Sequence, residues 1–347
     1  MTTTLAAAKG ERAPWFARLP IVAQLRRSVG LQRGMLITGI VICLVFLLGA
    51  IFAPIIAPYG FGQLSDGAGS FPRQAPPSSD HIWGTTVGGY DVFSRVVWGA
   101  QTAIAVVIVA VILSVLIGVT LGLVSGYLGG WLDRILVVIA DAVYAFPSLL
   151  LAIVVSIVIS GGQSSLVGGI VAAGISITVV FVPQYFRVVR AEAVRLKSEA
   201  FVESSKVVGS STARIMFKHV LRNATRSLPL ILTLNASEAI LTLASLGFLG
   251  FGIGPTAAAE WGYDLNRALS DTASGIWWTG VFPGAAIVLL VLGVTLVGES
   301  LNDLADPRLR TRRRAKRRKA VTSASSDPAV GDTKTPGSTT APEGGRA

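Results

Sequence analysis

Charge is what this chain most lacks. Of its 347 residues only 14% are Asp, Glu, Lys or Arg, where a soluble domain carries about 25%. Hydrophobic residues make up 52% and the mean hydropathy is +0.64. A surface so poor in charge excludes an ordinary soluble domain and points to a membrane protein. Cysteine occurs once, as Cys43, so no intrachain disulfide can form. Histidine occurs twice, as His81 and His219, and no clustered His or Cys offers a metal site. No stretch reads G-x-x-x-x-G-K-[ST], so the chain carries no phosphate loop of its own. No nucleophile–base constellation gathers, which disfavours a membrane enzyme. The polar lead of 34 residues is long for a signal n-region, and no small-x-small cleavage site follows the first apolar run.

Long apolar runs are what the chain has instead. A span needs about 20 mostly apolar residues, and six stretches qualify, starting at Met35, Ala103, Ile135, Leu166, Leu228 and Ile276. The net charge of +11 is not spread evenly: 27 of the 30 Lys and Arg fall in alternate connecting segments. That is the positive-inside pattern, and it predicts cytoplasmic termini and a cytoplasmic 187–227 segment. The basicity is therefore topological, and no nucleic-acid partner is expected. His81 and His219 then lie on opposite sides and cannot share a metal. The organisation expected is a basic cytoplasmic lead (1–34), a six-span domain (35–305) and a cytoplasmic tail (306–347). The Gly-, Pro- and Ser-rich stretch 59–102 reads as an irregular external cap over the next helix. The composition of residues 321–347 cannot bury a core and reads as disordered. The polybasic run at its head serves either as a topological anchor or as a contact for anionic membrane lipid.

Within the spans, Ala110, Ser114, Gly118, Gly122 and Gly126 recur every four residues. This small-xxx-small face lets another helix approach closely. Pro147, Pro183 and Pro283 each remove a backbone hydrogen bond inside a span. Two intramembrane carboxylates stand out, Asp141 and Glu238. Asn235, Glu238, Thr242 and Ser245 share a helical stripe, and Tyr144 and Ser148 fall on the side of Asp141. The stripe fits a hydrophilic translocation path in which Glu238 meets a cationic group. It fits equally an interhelical hydrogen-bond seam or a contact with another subunit.

The segment "EAFVESSKVVGSSTARIMFKHVLRN" (199–223) is the polar exception between spans four and five. Phe201, Ser204, Ser205 and Val208 share one helical face, and Gly209 can take the left-handed conformation that ends helices. Ser210, Ser211 and Thr212 are N-cap residues. Ala213, Met216, Phe217, Val220 and Leu221 then predict a second amphipathic helix. Such a helix–Gly–helix unit either docks in a groove on a partner protein or rests on lipid.

A resemblance decides between these. "ESSKVVG" (203–209), Ile215 and "KHVLRNA" are similar to the Glu-Ala-Ala-x-x-x-Gly loop of permease subunits of ATP-binding-cassette (ABC) importers. "HIWGTTVGGYDVFSR" (81–95), "GYLGGWLD", "SLGFLGFGI" and "LNDLADPRLR" resemble the dipeptide/oligopeptide/nickel group, and within it the second permease subunit. The resemblance covers roughly residues 35–310. Ser204 and Ser205 replace the two alanines, and Arg222 replaces a proline. Ile82, Thr86 and Tyr90 replace Pro, Asp and Arg, and Leu243 stands where many relatives have Glu.

The resemblance implies an all-α type I importer permease fold with six transmembrane helices, non-catalytic, in a prokaryotic plasma membrane. It implies that Glu203, Ser204, Ser205, Val208, Gly209 and Ile215 dock on an ATPase. It further implies a homologous second permease, one or two ATPase subunits (or a fused ATPase) that use ATP and Mg, and an extracytoplasmic binding protein. No cofactor is expected in this chain. The cargo implied is dipeptides or short oligopeptides; nickel, glutathione and haem remain open because permeases of the group share motifs. An ion-gradient transporter using Asp141 or Glu238 as a proton site is the rival. Inverted repeats would favour that rival, and no convincing one is present.

Overall fold

The structure, a computed structural model, describes residues 31–67, 69–160, 166–226 and 228–305. The basic lead and the polybasic tail expected from the sequence lie outside the described residues. The chain opens with α1 (Leu31–Ile51) and a short α2 (Ala53–Ile56). A loop holding two two-residue antiparallel strands follows, β1 (Ser65–Asp66) and β2 (Gly69–Ser70). Next come α3 (Val92–Leu128), α4 (Gly130–Ala145), α5 (Ser148–Ser160) and α6 (Leu166–Lys197). The polar segment forms α7 (Ala200–Val207), α8 (Thr212–Arg214), a π-helical turn at Ile215–Val220 and α9 (Leu221–Ala224). The chain then continues as α10 (Leu228–Phe248), α11 (Trp261–Ala273) and α12 (Trp278–Ala305).

Five of these helices, α1, α3, α6, α10 and α12, are long and apolar enough to cross a bilayer. The span expected from Ile135 is instead a broken pair, α4 and α5, bent by 100°. Pro147 explains the break. It disfavours the helical conformation in the residue before it, and Phe146 is extended at ψ 140°. With 16 and 13 residues, α4 and α5 are each too short alone for a core about 30 Å thick. Pro183 and Pro283, by contrast, sit inside continuous helices.

The centre of the fold is the α3–α6 pair, and its register shows how the broken pair is used. Gly174 lies against Val109, Gly118 against Tyr185, and Gly126 against Ala193. Residue numbers rise together, so the two helices run parallel. A parallel pair needs one return crossing between its members, and α4–α5 supplies it. The small-residue face is the contact: Ala110 and Ser114 are fully buried, and a Cβ at Gly122 would stand 2.5 Å from the Phe186 carbonyl oxygen. Close backbone approach gains dispersion contacts that bulkier side chains would forfeit. On the flank, Gly39 of α1 meets Gly293 of α12, and Ser237 of α10 bonds Thr295 of α12 at 3.1 Å.

Two boundaries differ from the sequence reading. The cap expected over 59–102 ends at Asp91, whose carboxylate accepts from the Ser94 amide at 2.8 Å and starts α3 well before its apolar run. The segment expected from residue 187 begins as helix, because α6 continues to Lys197 through Arg, Ala, Glu and Leu, all strong helix formers. Large apolar side chains such as Val45, Leu116, Val138, Val158 and Val288 are bare on the outer surface. That is far more than a soluble monomer leaves exposed, and it is the face a bilayer covers.

Candidate functional site

In the polar segment, α7 ends on a Schellman motif. The Ser210 amide donates to the Ser205 carbonyl at 3.0 Å and the Gly209 amide to that of Lys206 at 2.9 Å, with Gly209 at φ +82°. A Cβ there would be strained whatever the space around it. Ser211 then caps α8, its side chain accepting from the Arg214 amide. Ser204 and Ser205 donate their hydroxyls to the carbonyls of Ala200 and Phe201, both at 2.8 Å. With their donors spent inside the helix, both behave as small, nearly apolar surface. Glu203 is exposed, and Val207 and Val208 are 88% and 84% exposed. No described residue covers them.

The other expected docking residue, Ile215, is only 1% exposed. It points into the body with Met216, Val220 and Ala224, while Ala213 and Phe217 face outward. The π turn causes this change of face: Ile215 and Val220 are five residues apart, one π turn. A 3.6-residue period finds Met216, Val220 and Leu221 on the packed side there and misses Ile215, placing Ala213 and Phe217 in its stead. Ile215 is therefore an anchor, as is Val202 at the start of α7, which is fully buried.

The expected path residues do not gather as one stripe. Asn235 is buried beside the buried Tyr185 hydroxyl of α6. Glu238 is exposed, and Thr242 and Ser245 return their hydroxyls to the Glu238 and Leu241 carbonyls. Leu243 is buried in the core. Asp141 pairs with Arg187 of α6 at 2.8 Å, and the same guanidinium lies 4.2 Å from the Tyr144 ring centre. Both charged side chains of this pair are about half exposed.

Three ionic features escaped the sequence reading. Where α3 ends at Gly129–Gly130, Asp133 accepts from Arg190 Nη2 at 2.7 Å and from the Ser125 hydroxyl, clamping α3, α4 and α6. At the opposite end of α3, Arg95 donates through Nε to Asp264 of α11 at 2.7 Å and through Nη1 to the Phe61 carbonyl. Nearby, His81 Nδ1 lies 3.0 Å from Asp91. The 81–95 element thus keeps one internal polar contact, His81–Asp91, and one ion pair to α11, Arg95–Asp264, although Thr86 and Tyr90 carry no charge. Glu260 caps α11, accepting from the Gly262 and Tyr263 amides at 2.8 Å. Burial pushes its carboxyl up to about 8, against the pull of those two amides. Gly247 makes room for it, since a Cβ there would fall 1.6 Å from Glu260 Oε2. Among the described residues no group of His, Cys, Asp and Glu could hold a metal ion.

Residues 118–311 match the family described as the binding-protein-dependent transport system inner membrane component. The chain is 36% identical over 278 residues to the dipeptide transport system permease protein DppC of Alkalihalophilus pseudofirmus, covering 79% of this chain and 86% of that one. It is 35% identical over 285 residues to the glutathione transport system permease protein GsiD of Shigella flexneri, covering 80% and 88%. The GsiD of Escherichia coli is similar to the same extent. The match spans the α3–α6 seam, the polar segment and the helices that follow. The chain therefore belongs to the inner-membrane components of binding-protein-dependent transport systems, as a non-catalytic, multi-pass permease subunit of an ABC importer.

Proposed function

We propose that this permease forms half of the path through which dipeptides or short oligopeptides are imported, and that its 199–224 segment couples the path to a partner ATPase. One observation carries the coupling assignment. The Schellman-capped turn at Gly209 holds Val207 and Val208 bare beside two small serines, on helices anchored by Val202 and Ile215. A bare apolar knob on a rigid mount suits a groove on another protein. Lying on lipid would not require the small residues beside it. Glu203, Ser204, Ser205, Val208 and Gly209 remain the docking residues, Val207 joins them, and Ile215 positions them.

The remaining assignments follow from that one. The Arg-rich end of α6, the C-terminal end of α3 beside it and the 199–224 segment face the cytoplasm, with both termini. The 57–91 loop and α11 face outward, toward the binding protein. A homologous second permease completes the path, and ATP with Mg is used by one or two ATPase subunits, or a fused one. A half-exposed charged pair such as Asp141–Arg187 is costly wherever it faces lipid. That cost favours a wet path or the second permease as the neighbour of this pair and of exposed Glu238, with Thr242 and Ser245 farther along the same helix. Asn235 is buried and assigned to packing. Peptide cargo is supported by the names of the dipeptide and glutathione permeases to which the chain is similar.

The test is reconstitution of the assembled importer in proteoliposomes. ATP-driven uptake of a labelled dipeptide should persist with a proton ionophore and stop with an inactivated ATPase. Ser205→Trp or Gly209→Val should leave ATP hydrolysis running while uptake fails. Uptake that follows the proton gradient, or coupling that survives both substitutions, would overturn the proposal. Preference for glutathione over dipeptides in competition would redirect the cargo assignment alone.

A further inference from the structure

At the end of the molecule away from the polar segment, α11 and the 86–90 turn enclose a cleft of about 250 Å³. Asp264, Arg267 and Asp271 line it from one face of α11, at i, i+3 and i+7. Asp264 is compensated from behind by Arg95. Asp271 is not: among the described residues no cation pairs with it, although it is fully buried. Its Oδ1 accepts from Gln74 Nε2 at 2.6 Å, and its Oδ2 has no partner. Asp264 Oδ2, in the same cleft and 6% exposed by residue, is also unpartnered. Beside Asp264 the Arg95 Nη2 donor is likewise unmatched, but Asp271 has no such neighbour. A buried carboxylate oxygen left unmatched costs about 1–3 kcal/mol or more, so it is Asp271 Oδ2 that calls for a donor from outside the described residues.

Arg267 stands four residues before Asp271 and could have paired with it. It does not, because each is held elsewhere. Arg267 donates through Nε to the Tyr263 hydroxyl at 3.1 Å, its guanidinium 5.4 Å from that ring's centre. Gln74, which holds Asp271, is the one non-glycine among the described residues at positive φ, +55°. Such a conformation costs on the order of 1 kcal/mol or more and persists only where its surroundings enforce it. Here the Gln74 amide donates to the Thr86 carbonyl at 3.1 Å, fixing the side chain toward Asp271. The cleft thus keeps an anion and a cation about one helical turn apart and prevents them from neutralising each other.

We infer that this cleft binds a small zwitterion of the amino-acid or dipeptide class, its ammonium on Asp271 and its carboxylate on Arg267. The two Cβ atoms stand about 5–6 Å apart, one helical turn. With the guanidinium held toward Tyr263 the charges are set wider than that, which favours the termini of a dipeptide over those of a single amino acid. The volume lies below the roughly 300 Å³ at which drug-sized sites begin, so a long peptide is excluded. A single metal ion is also disfavoured, since seven residues of helix, about 10 Å of rise, separate the two aspartates. The choice of dipeptide as ligand rests also on the peptide-importer reading; the charge arrangement does not.

The test is equilibrium binding to the full-length permease in nanodiscs, without ATPase or binding protein, using Ala-Ala, N-acetyl-Ala-Ala and Ala-Ala amide in calorimetry. Ala-Ala should bind, and each blocked form should bind at least tenfold more weakly. Arg267→Gln, at an exposed side chain where substitutions stay within about 0.5 kcal/mol, should abolish the preference for the free carboxylate. Asp271→Asn, which keeps the acceptor for Gln74, should abolish the preference for the free ammonium. No binding of Ala-Ala, or equal binding of all three, would overturn the inference, as would an Arg267→Gln protein that binds like wild type. Because binding and uptake are read separately, loss of Ala-Ala binding with dipeptide uptake retained overturns this inference alone, and binding without dipeptide uptake overturns the cargo reading alone.

Discussion

Replacing Val207 and Val208 together with serine removes the two side chains that α7 presents most openly. Both are more than four-fifths exposed on the isolated chain, so nearly all of their area is available to be covered by a partner. Fully burying one valine contributes about 1.5–3 kcal/mol. Taking the low end for each gives about 3 kcal/mol for the pair, or about a hundredfold in a dissociation constant. The fold itself should hardly notice: both side chains are exposed and the cap at Val208–Gly209 is made by backbone groups, and exposed substitutions that disturb no cap or core fall within about 0.5 kcal/mol. The assay is titration of the ATPase subunit onto the two-permease complex in nanodiscs, with thermal unfolding of the permeases measured in parallel. The expected result is about a hundredfold loss of ATPase affinity with an unchanged unfolding temperature. Val202→Ser should do the reverse, since Val202 is fully buried and anchors α7 to the body. Affinity within twofold of wild type for the double variant would refute the docking assignment, because no other apolar side chain of α7 is as bare.

The α3–α6 seam predicts a contrast between two glycine-to-alanine changes. Gly122→Ala places a Cβ 2.5 Å from the Phe186 carbonyl oxygen, a backbone atom that cannot step aside, and overpacking of this kind costs about 1–3 kcal/mol. Gly49→Ala meets nothing within 4 Å and should stabilise α1 by up to about 1 kcal/mol; equal unfolding temperatures for the two in detergent would contradict the seam. Glu260 predicts a pH dependence. Its folded pKa of about 8 lies above the ordinary 4.5, so the folded state binds the extra proton and its contribution is fully present below about 4.5. That contribution is lost as pH rises through 8, and the unfolding temperature should fall across this window. Glu260→Gln should flatten that fall, at the cost of about 1 kcal/mol for one lost cap bond; a slope identical to wild type would show that Glu260 does not titrate there.

Why some of this was legible in the sequence and some was not comes down to the range of the physics involved. The spans, the small-residue face of α3 and the Gly209 turn are local: each rests on a run, a four-residue repeat or one permissive backbone, and each appears where the residues put it. The α4–α5 break is also local, yet Pro147 alone could not say how far the chain would bend, since Pro183 and Pro283 lie in continuous helices. What failed was arithmetic that assumed a uniform helix. The single π turn at Ile215–Val220 adds Ile215 to the buried face that holds Met216 and Val220 and leaves Phe217 outward, whereas the resemblance puts Ile215 at the docking surface. α11 was hidden for a different reason. Its buried face carries Asp264 and Asp271 beside Trp261 and Ala268, and an apolar periodicity with two aspartates in it does not read as one. Those aspartates are tolerated because Arg95 and Gln74, 169 and 197 residues away, reach them through folding. The residues least visible to a local reading are thus those whose charge is answered, or left unanswered, by distant chain. In this permease the unanswered ones line a cleft, which is where an external ligand would complete the pairing the fold leaves open.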